Sequence, residues 1–401
     1  MITKRESRGS MRQLDLQLIA ANMLLAVFGL LAIYSSGGSY YFLRQLIFVP
    51  IAIAAAAGAF FIPRRILYGL AEAFYGLALL MLIAVRIAGT GPGSHRWFVL
   101  GPAYIQPSEF AKLATVLLLA KHLSVKRTIQ FSFRDLGAPL ATALVPSLLV
   151  LVEPDLSTAL IFAALLAAML YWQGMRPLHI LLLFTPALSF AAGFSLYTWI
   201  PFFLVLAVIL LVRSGVKNAL IGLAVSAGFG LLSPVVLSSL KGYQRDRIMS
   251  FLAPWLDPHG ISWNAIQSQI AIGSGRLMGK GFLHGSQKRL GFLPNRHTDF
   301  VFSSLGEEFG LVGCLVLLGL FFWLLRRMLL AARQSHDSTG SLLCVGFAAT
   351  IGYQMFVNIG MLLGILPITG ITLPFISYGG SSLLLNFLMV GLVLNVVSRP
   401  E

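Results

Sequence analysis

Apolar runs bounded by charge, glycine or proline recur along the whole chain, at residues 14–36, 41–62, 66–86, 108–122, 136–152, 157–173, 178–196, 198–213, 217–239, 301–325, 341–366 and 373–398. A helix rises about 1.5 Å per residue, so about 20 apolar residues cross the roughly 30 Å hydrocarbon layer of a bilayer. The runs carry no polar stripe at helical or strand period, as a soluble fold of this length would require. They predict an all-α polytopic transmembrane bundle of about twelve spans, with 198–213 the weakest of them. The run at 14–36 is too long for the apolar core of a signal peptide and leads into no cleavage site followed by a soluble domain, so it reads as a retained span. With no Pro- or Ser-rich linker and no repeat of 20–50 residues, residues 1–401 read as a single membrane domain.

The loops assign an orientation. Cytoplasmic loops collect Lys and Arg, and alternate loops here hold Lys4, Arg5, Arg8 and Arg12, then Arg64 and Arg65, then Lys121, Lys126, Arg127 and Arg134. Arg176, Arg213, Lys217, Arg326, Arg327, Arg333 and Arg399 continue on the same side. Both termini are therefore expected in the cytoplasm. Only two connections on the opposite face are long, 87–107 and 240–300, and function should sit on them. The second carries Lys241, Arg245, Arg247, Arg276, Lys280, Lys288, Arg289 and Arg296 against Asp246, Asp257 and Asp299. A long loop tolerates such cations during translocation, and the same excess suits an anionic ligand.

Composition strengthens the membrane assignment. The chain is 57% hydrophobic and 11% charged, where soluble domains carry about 25% charged residues. Its net charge of +15 is scattered in short clusters between apolar runs, which fits topology and not nucleic-acid binding. Cys314 and Cys344 lie inside apolar runs without ligand spacing and read as packing residues.

Ionisable groups beside a membrane are functional candidates because burying them unpaired is costly. Asp299, in Pro294-Asn295-Arg296-His297-Thr298-Asp299-Phe300, stands at the mouth of a long apolar helix. It can cap that helix or serve as a base, and one residue can do both. Glu109 and Lys112 lie one turn apart at the start of another helix, either as an ion pair that steadies the helix end or as part of a cavity. In Glu153-Pro154-Asp155-Leu156-Ser157-Thr158, Asp155 or Ser157 can cap the helix that follows a proline turn. The glycine-rich Gly273-Ser274-Gly275-Arg276-Leu277-Met278-Gly279-Lys280-Gly281 would let backbone and cations approach a phosphate, although such turns are common. Asn358 and Gln354 sit in mid-span and read as helix-to-helix hydrogen-bonding residues.

The ordered set Gln106-Pro107-Ser108-Glu109 with Lys112, Pro154-Asp155-Leu156 with Thr158, Tyr243-Gln244-Arg245 with Arg247, Gln267-Ser268 with Ala271 to Gly275, Pro294 with His297 to Phe300 and Glu307-Glu308, and Pro374 with Ser377 to Ser381 resembles the SEDS family (shape, elongation, division and sporulation) of bacterial cell-wall polymerases. The likeness spans nearly the whole chain. Gly279-Lys280-Gly281 and His284-Gly285-Ser286-Gln287 leading into Phe292-Leu293-Pro294 are more similar to the elongation branch, RodA-like, than to the division branch, FtsW-like. Two features depart from the family pattern: Glu153 and Ser157 replace the usual Gln and Gly, and residues 177–217 look like a helical pair inserted into a ten-span plan.

The resemblance implies a peptidoglycan glycosyltransferase that polymerises lipid II on the outer face of the bacterial cytoplasmic membrane. It implies Asp299 as the catalytic carboxylate, and Glu109, Lys112, Asp155, Arg245, Arg247, Lys280, His297 and Trp97 as substrate-binding or cavity residues. A class B penicillin-binding protein is the implied partner, and a divalent cation, Mg or Mn, stays open as a cofactor. Two other classes compete. A flippase for lipid-linked precursors would show an inverted repeat with paired broken helices, and none is visible in the sequence. A non-catalytic scaffold would leave Asp299 dispensable.

Overall fold

The computed structural model describes residues 15–90, 96–100, 103–125, 133–213, 216–239, 262–286 and 296–398, together with Phe251. Those residues are almost entirely helical, and seven of the described helices are long and apolar enough to cross a membrane. In chain order the elements are α1 (Leu16–Phe61), α2 (Arg64–Gly69), α3 (Ala71–Ala88), β1 (Phe98–Leu100), β2 (Ala103–Ile105), α4 (Pro107–Ser124), α5 (Phe133–Val152), α6 (Leu156–Trp172) and α7 (Pro177–Ala192). They continue as α8 (Leu196–Arg213), α9 (Val216–Ser239), α10 (Trp263–Ser274), α11 (Val301–Gln334), α12 (Ser338–Leu362) and α13 (Gly380–Ser398).

The expected spans 14–36 and 41–62 form one continuous assignment, α1, broken at Gly38. Gly38 has φ 79° and ψ −174°, a backbone region open essentially to glycine alone. The break turns the chain back on itself, because both ends of α1 reach the same end of the bundle. Asp15 caps the first half and its carboxylate takes a hydrogen bond from Arg327 Nε of α11 at 3.1 Å. After the second half, Arg64 donates to Asn395 Oδ1 at 3.2 Å and to the Val396 carbonyl at 2.9 Å. Tyr68 donates to Asp337 at the start of α12, and Lys121 closing α4 pairs with Glu72 at 2.6 Å. We call this the basic end. The turn at Gly38, the start of α11 and the start of α4 all lie at the opposite end.

One apolar core joins α1, α3 to α6 and α10 to α13. The helices α7, α8 and α9 pack mostly on one another around a separate small cluster of Leu206, Leu210 and Ala219. Trp199 Nε1 donates to Ser189 Oγ at 3.0 Å, and Ser189 Oγ donates to the Ser226 carbonyl at 2.6 Å. Hydrogen bonds of this kind replace the hydrophobic drive that lipid removes between helices.

The structure departs from the expected elements in three places. The last span begins at Gly380 and not at 373, since residues 373–379 form an irregular turn with Phe375 at φ 65°. The connection 87–107 contains a two-stranded antiparallel hairpin, pairing Phe98 with Ile105, which an all-helical reading leaves out. Finally, α11 is interrupted at Gly310, φ 64°.

Candidate active site

Asp299 lies one residue before the N-cap of α11, which is Phe300 and makes no side-chain cap bond. The short segment 296–300 is held by its backbone. Asn358 Nδ2, from α12, donates to the Asp299 carbonyl at 3.0 Å and to the Ile371 carbonyl at 2.6 Å. Ser377 Oγ donates to the Thr298 carbonyl at 2.7 Å and accepts from Leu373 N at 2.8 Å, while Tyr378 N donates to the His297 carbonyl at 2.9 Å. Two loops distant in sequence are thus bonded to one another, and a buried asparagine ties both to a helix. The side chain of Asp299 stands beside Gly370, whose added Cβ would lie 3.4 Å from Oδ2.

Aromatic rings build the neighbouring wall. The His297 ring stacks on Tyr41 with centroids 3.9 Å apart, and Tyr378 meets Tyr41 edge-on at 5.0 Å. Burial, with Arg296 adding to it, lowers the His297 pKa below its usual value, which favours the neutral ring. Burial raises the Tyr378 hydroxyl against an opposing effect of Arg44.

Of the other predicted residues, Glu109 and Lys112 form an ion pair at 2.7 Å at the start of α4, with the lysine side chain only 1% exposed. Removing either partner of a buried pair is strongly destabilising, because the other is left uncompensated. Asp155 caps α6 by accepting from Thr158 N at 3.1 Å. It also faces Arg96 at 3.5 Å, and Arg96 donates to the Glu153 carbonyl at 2.7 Å and to the Pro154 carbonyl. Arg96 therefore straps the β1–β2 hairpin to the α5–α6 turn. Trp97, next in the chain, pairs with Thr90 and stands edge-on to Tyr104. Asp299, Glu109 and Asp155 all lie at the end of the bundle opposite the basic end. Arg245 and Arg247 fall outside the described residues.

Lys280 is engaged. Its Nζ lies 2.7 Å from Glu307 Oε1 and 2.7 Å from Ser286 Oγ, and Glu307 is fully buried. The glycine-rich segment around it has a structural role that the sequence reading did not see. It fills the break in α11: Lys280 N and Gly281 N donate to the carbonyls of Glu307 and Glu308, and Leu311 N and Val312 N donate to those of Arg276 and Leu277. Gly279 allows this approach, since a Cβ there would meet the Glu308 carbonyl at 2.1 Å. Cys314 and Cys344 are free and buried, as packing residues should be.

Sequence reasoning missed Asn358 and Arg96. A mid-span asparagine was read as a helix-to-helix contact, and nothing local to it announces that its partner is the backbone of Asp299. For Arg96, an arginine in a loop carries no signal until the turn it straps is seen.

Comparison with known proteins places this arrangement. The sequence model of the FtsW/RodA/SpoVE family, described as cell cycle protein, matches residues 15–201 and 196–400. The chain belongs to this family. It is 34% identical over 386 residues to the peptidoglycan glycosyltransferase MrdB of Escherichia coli K12, covering 96% of this chain and 93% of that one. It is also 34% identical over 396 residues to the stage V sporulation protein E of Bacillus subtilis, covering 95% and 96%. Among solved structures, a chain of a peptidoglycan synthase complex that couples polymerization and crosslinking superposes with a TM-score of 0.73 at 31% identity, covering 96% of this chain and 97% of that one. The rod shape determining protein RodA of Thermus thermophilus superposes at 0.65 with 29% identity, covering 97% and 98%. The resemblance seen in the motifs is therefore a family relationship along the whole chain.

Proposed function

We propose that this family member is a peptidoglycan glycosyltransferase that polymerises lipid II on the outer face of the bacterial cytoplasmic membrane during cell elongation, with Asp299 as the general base. The relatives named as peptidoglycan glycosyltransferases support the activity. The observation that carries the residue assignment is the backbone clamp on 297–299, which fixes a carboxylate at the mouth of α11. The 4-hydroxyl of one GlcNAc attacks the anomeric carbon of the MurNAc of another lipid II. Its proton passes to the Asp299 carboxylate as the bond to the lipid pyrophosphate breaks. An α-linked donor gives a β-linkage, so configuration inverts in one displacement and no glycosyl-enzyme forms.

Among the described residues no group of three or more His, Cys, Asp or Glu side chains gathers as a metal seat, so no step is routed through a protein-held cation. The basic end is the cytoplasmic face, as the Lys/Arg rule requires, and both chain termini lie there. About twelve spans are made up of the family's ten plus an inserted helical pair at 177–217, where the family match divides at 196–201. A class B penicillin-binding protein supplies crosslinking, since the Ser-x-x-Lys sequences of this chain, Ser214 to Lys217 and Ser238 to Lys241, fall at the ends of apolar runs and not in an external soluble domain.

The test is polymerisation of lipid II by the purified protein, alone and with its partner, and by Asp299→Asn. The amide keeps size and capping ability and cannot take the proton, so the rate should fall by about a hundredfold to ten-thousandfold. An Asp299→Asn protein making long strands at near wild-type rate would remove the residue from the mechanism and favour the transport or scaffold reading.

A further inference from the structure

The turn 274–280 lines a cleft of about 780 Å³ on the flank of α11, and its depth can be read from α1. Asp15 opens α1 beside Arg327 at the basic end, and counting on about 20 residues, the length that crosses the hydrocarbon, reaches Ser35, whose Oγ donates to Glu308 at 2.6 Å. Lys280 is bonded to Glu307 through both backbone and side chain. It therefore sits at the boundary between headgroups and acyl chains. The Asp299 segment is close by: a Cβ on Gly37, two residues beyond Ser35 on α1, would lie 3.0 Å from the His297 Cβ.

Below this boundary the surface is apolar. Leu277 and Met278 are 65% and 78% exposed, and beside them Leu311, Val312 and Leu315 of α11 are also exposed. Val312 N is bonded to the Leu277 carbonyl, so the turn and the helix form one lipid-facing strip. Arg276 roots at the level of Leu311, about one turn deeper than Lys280, and its long side chain can snorkel to the boundary. Its guanidinium makes no hydrogen bond or ion pair among the described residues. Lys280 spends two of its three donors on Glu307 and Ser286 and is 31% exposed. One whole guanidinium and one ammonium N–H are thus left at headgroup level, above an apolar strip.

We propose that this turn is the seat of the polyprenyl pyrophosphate of a lipid-linked sugar, with Arg276 and Lys280 on the phosphates and Leu277, Met278, Leu311 and Val312 along the chain. The inference rests on the proposed polymerase activity and adds where its lipid anchor is held. The placement fits: Ser35 and Gly37 of α1 touch Glu308 and His297 in turn, so the turn and the Asp299 segment flank the same stretch of α1. The turn is also rigid, because its backbone satisfies the broken ladder of α11, and a preformed seat saves ordering cost on binding.

The experiment measures equilibrium binding of a polyprenyl pyrophosphate to the full-length protein in phosphatidylcholine nanodiscs. Wild type should bind it more tightly than the corresponding alcohol. Arg276→Gln should weaken binding about tenfold or more, the worth of a charge-assisted contact, and Arg276→Lys should recover most of it. If Arg276→Gln unfolds early in a thermal scan, Arg276→Met, which keeps the apolar stem, repeats the comparison. Unchanged affinity in a folded Arg276 variant overturns the proposal. So does displacement by phosphatidylglycerol at equal mole fraction, which would make the turn a general anionic-lipid contact. Asp299→Asn should bind like wild type. A protein that binds in this Arg276-dependent way yet makes no glycan would sink the polymerase reading and leave the lipid seat standing, whereas polymerisation with Arg276-independent binding would do the reverse.

Discussion

Asn358 donates a single side-chain amide to two loop carbonyls, Asp299 at 3.0 Å and Ile371 at 2.6 Å, and thereby fixes the candidate base to a helix 59 residues further along the chain. The side chain itself is fully buried. Replacing it with alanine leaves both carbonyls short of a donor and costs about 1–3 kcal/mol of stability. Displacement of the base by about 1 Å costs roughly a hundredfold in rate. Asn358→Ala should therefore lose polymerisation far more steeply than it loses thermal stability, measured side by side. Equal losses would reduce Asn358 to a packing residue.

The Glu109–Lys112 pair predicts a double-variant signature. Removing one partner of a buried pair leaves an uncompensated charge, at a cost of about 3–5 kcal/mol. Lys112→Met should lower the melting temperature sharply, and adding Glu109→Gln should restore it. If the pair lines the substrate cavity, as the family resemblance implies, activity should not return with stability. Recovery of both together would make the pair purely structural.

Glu153 predicts a pH dependence. It is buried, 3% exposed, and its Oε1 has no hydrogen-bond partner among the described residues. Burial pushes its pKa up to about 8 from 4.5, with Asp155 adding to the shift and Arg96 and Arg86 opposing it. The folded protein holds this proton more tightly than the unfolded chain does, so stability is lost as pH rises from about 4.5 to about 8 and is level above that. Glu153→Gln should remove this slope and melt higher than wild type at pH 9. Parallel melting curves for the two proteins across that range would show that Glu153 ionises normally.

Topology can be tested with cysteines at exposed positions. His284 and Ser338 are both exposed, at opposite ends of the bundle, whereas Ser286 is tied to Glu307 at 2.8 Å and is a poor probe site. An impermeant thiol reagent added to intact cells should label a cysteine at 284 and should reach one at 338 only after permeabilisation. The reverse pattern would invert the orientation.

The sequence alone determined the class of protein and the identity of its candidate base. Lipid demands long apolar helices whose backbone bonds are satisfied internally, and that demand writes itself as uncharged runs that any reading of hydrophobicity recovers. Scarce acids stand out against such a background, so Asp299, Glu109 and Asp155 were legible as candidates. The caps and pairs within one turn were legible too, as with Asp155 on Thr158 N and Glu109 with Lys112. The tertiary structure decided whatever depends on groups far apart in sequence. It showed that Gly38 folds the first long helix back, and that Asn358 and Ser377 hold the backbone of 298–299. It also showed that the glycines near Lys280 serve a break in α11, and that Lys280 answers to Glu307. Hydrophobic period records only which face a residue turns to lipid. It does not record which buried amide meets which carbonyl, because that choice is made by packing between helices and leaves no local trace.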